Sequence, residues 1–294
     1  MSWIRKSSLN CIQSCCVKVL KCGAVPKHVA FIMDGNRRYA KKNNVDKIQG
    51  HTKGFDKLSE TLQWCLDLGI EEVTVYAFSI ENFKRSQDEV ESLMDLARQK
   101  FRRLLEEREK LMDHGVRIRC LGNRSYIPED LNKLIAEAEL MTRSNSRCFL
   151  NIALSYTARD EITHAVQTVV KGVEESHISE EDITPTLLSR CLYTNESPNP
   201  DMVIRTSGET RLSDFLLWQS SYSYLHFTDV LWPDFSAWHL LSAIFHYQRA
   251  LANINQNSKH SSFPTQVLSQ RAESFLETKN DQYWSSLKEN IAVQ

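Results

Sequence analysis

The sequence predicts an α/β fold, a central and mostly parallel sheet flanked by helices. Short β-branched runs, apolar on both faces, alternate with longer stretches of helical periodicity across residues 25–250. That alternation implies parallel strands joined by right-handed helical crossovers. Polar, chemistry-bearing residues fall directly after several of the strands, at the carboxyl edge where open sheets of this class bind ligands.

Residues 1–24 read as an N-terminal amphipathic helix. Trp3, Ile4, Leu9, Ile12, Cys16, Val17 and Leu20 stand at roughly helical spacing, with Arg5, Lys6, Lys18 and Lys21 between them. The pattern suits a membrane interface, and equally a helix that packs on the domain or covers it as a lid. Cys11, Cys15 and Cys16 read first as surface or packed thiols, with acylation or metal coordination as the alternative. Beyond Pro26 the first strand is "HVAFIM", followed by a helix from Gly50 to Leu68 and the strand "EEVTVYAF". A long helix is predicted from Ser86 to His114. Val90, Leu93, Met94, Ala97, Phe101, Leu104, Leu105, Leu111 and Met112 give it one apolar stripe, and Ser86 with Glu89 fits a capping box. The strand "VRIRCLG", a helix from Pro128 to Ser144, the strand "CFLNIALSY", a helix from Ala158 to Val173 and the strand "DMVIRT" complete the alternation. After Arg249 the chain turns polar, "LANINQNSKHSSFPTQ", before a helical pattern from Val267 to Lys288, so residues 251–294 read as a linker and a helical appendage.

Composition narrows the function. The 294 residues carry a formal net charge of −1, which argues against nonspecific nucleic-acid binding, and no aromatic stacking series accompanies the arginines. Eight cysteines without a C-x-x-C pair do not suggest a disulfide framework. Neither G-x-x-x-x-G-K-[ST] nor G-x-G-x-x-G occurs, which disfavours a P-loop NTPase or a dinucleotide enzyme. No apolar run is long enough to cross a bilayer.

Three loops hold the charged chemistry. Asp34, Gly35, Asn36, Arg37 and Arg38 follow the first strand; Ser79, Glu81, Asn82 and Arg85 follow the second; Arg205, Ser207, Gly208, Arg211 and Ser213 follow the fifth. Parallel strands bring all three loops to one edge. Guanidinium forks match phosphate oxygens, and glycine lets backbone N–H groups approach them, so the edge reads as a phosphate or diphosphate site. Asp34 would repel such a ligand unless a hard cation such as Mg²⁺ lay between them. A plain charge pair between Asp34 and Arg37 or Arg38 explains one motif, but not three such loops.

The segments "HVAFIMDGNRRYAKK", "GHTKGFDKL", "VTVYAFSIENFKR", "LNIALSYTARDEI", "VIRTSGETRLSDFLLWQ" and "FTDVLWPDF" together resemble the cis-prenyltransferase (undecaprenyl diphosphate synthase) family, over roughly residues 1 to 250. The closest likeness is to the catalytic subunits of its eukaryotic branch, which make the polyprenyl diphosphate precursor of dolichol for protein glycosylation. The resemblance implies successive addition of isopentenyl diphosphate to an allylic primer such as farnesyl diphosphate, each step forming a Z double bond, beside a hydrophobic tunnel. It implies catalytic roles for Asp34 and Asn82, with Asp34 also the Mg²⁺ ligand. Asp34, Gly35, Asn36, Arg37, Arg38, His51 and Arg85 would form the allylic diphosphate site. Arg38, Arg85, Arg205, Arg211 and Ser213 would form the isopentenyl diphosphate site, and Ala77, Leu93 and Phe101 the tunnel. Asn82, Ser79, Asp34 and a substrate phosphate all remain candidates for guiding or accepting the departing proton. A non-catalytic subunit that binds diphosphate as a regulator or scaffold is the alternative.

Departures from the family's pattern have implications of their own. Arg37 and Tyr39 replace a glycine and a tryptophan of bacterial members, and Tyr224 stands where those carry a glutamate. Near Arg249, "YQRALANINQ" lacks the glycine of the Arg-x-Gly motif with which self-sufficient members complete the isopentenyl diphosphate site. The resemblance therefore implies a membrane-bound partner, a Nogo-B receptor-like subunit supplying that motif, and peripheral placement on the cytosolic face of the endoplasmic reticulum membrane.

Overall fold

The computed structural model describes residue 3, residues 7–261 and residues 267–292. Ile4, Arg5 and Lys6, named above on the N-terminal helix, lie outside the described residues. In chain order the elements are α1 (Cys11–Leu20), β1 (His28–Ile32), α2 (Asn36–Lys42), α3 (Lys47–Leu68), β2 (Glu72–Ser79), α4 (Gln87–Glu106), α5 (Arg108–His114), β3 (Val116–Leu121), α6 (Glu129–Thr142), β4 (Cys148–Tyr156), α7 (Ala158–Glu174), α8 (Pro185–Arg190), β5 (Met202–Arg205), β6 (Tyr224–Phe227), α9 (Ala237–Ser261) and α10 (Gln270–Ala292).

The sheet is parallel throughout, in the order β3-β4-β2-β1-β5-β6. Its central strand β1 is buried along its whole length. Val29 and Phe31 enter the larger core with α3, α4, α6 and α9, while Ala30 and Ile32 enter a second core with Tyr156, Phe215 and Leu216. A strand apolar at both parities is what a sheet covered on both faces requires. The edge strand β6 was not anticipated; its four residues, "YLHF", are only half buried and lack the apolar run that marked the others.

Three stretches of the sequence reading are revised. The predicted helix from Ser86 to His114 is two helices. The last turn of α4 tightens at Glu107, whose N–H reaches both the Arg103 and Leu104 carbonyls, and whose carboxylate accepts the Trp3 backbone N–H at 2.8 Å. Ser86 occupies the N-cap, but Glu89 does not close a capping box with it because its carboxylate goes to Arg85 and Lys47. The described N-terminal helix begins at Cys11; Val17 and Leu20 turn into the main core, whereas Ile12 and Val19 are each 66% exposed. Finally, α9 continues to Ser261, so the polar stretch after Arg249 starts as helix, held by Leu251 and Ile254 against the core. Among the described residues, no helix is long and apolar enough to cross a membrane.

Candidate functional site

The three charged loops do converge at the carboxyl edge. Asp34 lies two residues past the end of β1 and is locked to β5, its N–H donating to Thr206 Oγ1 at 3.1 Å and its carbonyl accepting from the same hydroxyl at 2.7 Å. The Trp232 N–H adds a 3.0 Å bond to that carbonyl. Gly35 then turns the chain into α2 at φ 110°, where a Cβ would press on Leu231 at 3.0 Å, and its N–H donates to Asp34 Oδ1 at 2.7 Å.

The other carboxylate oxygen, Asp34 Oδ2, accepts from Arg205 Nη2 at 3.0 Å and Arg38 Nη2 at 3.3 Å. Burial alone would raise the pKa of this carboxyl. The hydrogen bond and charge of Arg205, aided by Arg38 and the Gly35 N–H, outweigh it and hold the group below the usual carboxylate value. Arg205 is 3% exposed and also donates Nη1 to Ser213 Oγ at 2.7 Å and to the Arg211 carbonyl. Arg38 is braced by Ser207, through its carbonyl at 2.8 Å and its hydroxyl. The Arg211 side chain itself turns to Glu209.

A second basic group gathers on Glu89. Its carboxylate accepts from Arg85 at 2.9 Å and Lys47 at 3.0 Å, and lies 3.8 Å from Arg37. Adjacent Arg37 and Arg38 therefore serve different carboxylates, since one residue along a helix rotates the side chain by about 100°. His51 belongs to this second group. Its Nε2 is buried with no hydrogen-bond partner among the described residues, and burial, reinforced by Arg85 and Arg37, pushes its pKa down to about 4. Burial and the charge of Arg37 likewise lower that of Arg85.

Asn36 Oδ1 is also buried without a partner, beside Gly54, where a Cβ would stand 2.2 Å from that oxygen. Asn82 accepts the Ser79 N–H at 3.1 Å and so fixes the turn that follows β2.

A cavity of about 950 Å³ joins these groups. Its mouth is lined by Asp34, Arg37, Arg38, Arg85, Arg205 and Ser213, and its apolar part by Phe55, Ala77, Leu93, Ala97 and Phe101. Ala77 sits at a register shift of β2 between Tyr76 and Phe78, a bulge that turns its methyl into the cavity. All three tunnel candidates thus line one space. Tyr224 and Arg249 do not: the first pairs with Met202 in the sheet, and the second stacks over Phe245 on α9. Sequence reasoning missed Ser207 as the brace of Arg38 and Glu89 as the hub of the second group. Ser207 lay inside a quoted stretch, but its partner Arg38 is far away in sequence, and Glu89 was read only as a local cap.

Residues 32–254 match a prenyltransferase family model described as "Putative undecaprenyl diphosphate synthase". The chain belongs to the cis-prenyltransferase family. The human dehydrodolichyl diphosphate synthase complex subunit DHDDS is 58% identical over 84% of this cis-prenyltransferase and 74% of its own length. The tritrans,polycis-undecaprenyl-diphosphate synthase (geranylgeranyl-diphosphate specific) of Thermococcus kodakarensis is 46% identical over 83% of this chain and 92% of its own. A crystal structure of lavandulyl diphosphate synthase from Lavandula x intermedia, in complex with dimethylallyl diphosphate, superposes with a TM-score of 0.72 at 33% identity, covering 76% of this chain and 95% of that one. The expected fold and a prenyl-transferring enzyme are both borne out, and relatives named as synthases favour a catalytic chain over a scaffolding one.

Proposed function

We propose that the chain is the catalytic subunit of a long-chain cis-prenyltransferase that adds isopentenyl diphosphate to farnesyl diphosphate, giving dehydrodolichyl diphosphate. The observation that carries this reading is the cavity itself, guanidinium-lined at the sheet edge and apolar beyond, which suits a diphosphate joined to a growing hydrocarbon.

Within that reading Arg37, Arg85, Asn36 and His51 hold the allylic diphosphate, while Arg205, Arg211 and Ser213 hold that of the isopentenyl unit. Guanidinium charge stabilises the departing diphosphate as the allylic carbon gains cation character, and the isopentenyl double bond attacks that carbon. A proton then leaves the new prenyl unit. Asp34 is a weak base, because Arg205 and Arg38 hold its proton affinity down. A substrate phosphate is the better acceptor, with Asn82 orienting the isopentenyl unit from the turn after β2.

Asp34 fits Mg²⁺ in one specific way. Its carboxylate stands at the guanidinium-lined cavity mouth and would hold a hard cation there in exchange for the longer of its two guanidinium contacts, that of Arg38 at 3.3 Å. Such a cation supplies charge neutralisation of the diphosphate. The name of the human relative as a complex subunit supports a heteromer. We read the missing Arg-x-Gly glycine as the vacancy that a membrane-bound Nogo-B receptor-like subunit fills, with the complex on the cytosolic face of the endoplasmic reticulum. Labelled isopentenyl diphosphate should be incorporated into long-chain lipid by the chain with that partner, weakly without it, and at least about a hundredfold more slowly by Asp34→Ala. Undiminished incorporation by Asp34→Ala would refute the mechanism.

A further inference from the structure

The loop after β5 is held in an unusual conformation. Ser207, Ser213, Asp214 and Leu216 all stand at positive φ, at 78°, 51°, 60° and 46°. Aspartate tolerates that region comparatively well, but serine and leucine stay there only where their surroundings hold them.

The start of α7 supplies the hold. The Asp214 carbonyl accepts the Ala158 N–H at 2.7 Å, its Oδ1 accepts the Arg159 N–H at 3.1 Å, and its Oδ2 accepts Arg159 Nε at 2.8 Å. Two N–H groups that a helix start leaves without intrahelical partners are thereby taken by the loop. On the other flank Tyr76 donates to the Ser213 carbonyl at 3.3 Å and stacks on Phe215 at 4.5 Å. The Asp214 side chain is 12% exposed, while that of Arg159 is 77% exposed and borders the cavity.

We propose that Asp214 and Arg159 form a clamp that docks this loop on α7 and so sets the isopentenyl diphosphate subsite. They are positioning residues. Ser213 directly precedes Asp214, and its Oγ accepts from Arg205, the same guanidinium that grips Asp34. No slack separates clamp from site. Freed from α7, Ser213 and Asp214 relax toward negative φ, and the relaxation carries Ser213 Oγ off Arg205. As an exposed ion pair the contact would matter little; its leverage comes from the backbone it restrains. The inference rests on reading Arg205, Arg211 and Ser213 as the isopentenyl diphosphate site.

The test is steady-state incorporation of labelled isopentenyl diphosphate by the full-length chain in the assembly with which it purifies. Wild type and Asp34→Ala first establish the site reading. Arg159→Ala and Asp214→Ala should then each raise the KM for isopentenyl diphosphate by about tenfold, with the KM for the allylic primer changed by less than about twofold. Arg159→Lys, which keeps the charge but loses the fork, should fall between. The double variant should be no worse than the poorer single one, because the two residues act as a unit. An unchanged KM for isopentenyl diphosphate would overturn the clamp. So would additive losses, or equal rises in both KM values with a lowered melting temperature, which mark general destabilisation. A wild type that incorporated nothing would overturn the reading beneath it, and the clamp with it.

Discussion

His51 shows how far one side chain can depart from its behaviour in water. Its imidazole is confined beside Arg85 and Arg37, and its pKa falls to about 4 from an ordinary 6.5. Between those values the unfolded chain binds a proton that the native state refuses. Stability from this group is therefore complete above pH 6.5 and declines as the pH falls toward 4, by about 2 kcal/mol at pH 5. His51→Gln should flatten the melting temperature against pH between 4.5 and 6.5 by a few degrees; curves parallel to wild type would rule this out. At this scale the sequence brought the charged residues of the three loops to one edge, but not their pairing. Asp34 and Arg205 could be found because each follows a strand of a parallel sheet, which brings distant loops together. The division of Arg37 from Arg38 depends on where Glu89 ends up, and Glu89 read locally as a helix cap.

Among the elements, strands were easier to anticipate than junctions. A strand buried on both faces announces itself, whereas the break at Glu107 involves an acceptor of the Trp3 N–H, 104 residues away in sequence. The final helix was foreseen as an appendage, but its docking was not, because the residues that receive it lie on α6, α7 and α8. Ala272 and Phe275 pack with Ala165, Val169 and Leu187, and Trp284 and Leu287 with Ala136. Glu139 of α6 is the polar core of this contact. It accepts the Cys120 N–H at 2.6 Å and the Tyr283 hydroxyl at 3.0 Å, and pairs with Arg124. Glu139→Leu removes the carboxylate and leaves the Arg124 charge with little solvent, a loss of about 3–5 kcal/mol in chemical denaturation. A change below about 1 kcal/mol would mean that Arg124 finds water, and that the cluster does not fasten α10.

For the whole molecule, the parallel sheet sets a direction. The charged groups stand at its carboxyl edge, and the apolar cavity runs from them between β2 and α4, so a hydrocarbon anchored by its diphosphate has one way to grow. The charged edge followed from the alternation of strand and helix, whereas the tunnel along the predicted long helix was what the family resemblance implied. Of the cavity's walls, that resemblance named Ala77, Leu93 and Phe101 but not Phe55 of α3, nor the bulge that carries Ala77. Product length should then depend on where side chains interrupt the space. Ala77→Leu places three more carbons at the cavity wall near the mouth and should shift products to fewer isoprene units. Phe101→Ala should shift them to more, at some cost in stability because Phe101 is also core. Reversed-phase separation of the labelled, dephosphorylated products distinguishes these outcomes. If both variants gave the wild-type length distribution at reduced rate, elongation would not be limited by this cavity, and the chain would have to leave it at an early stage.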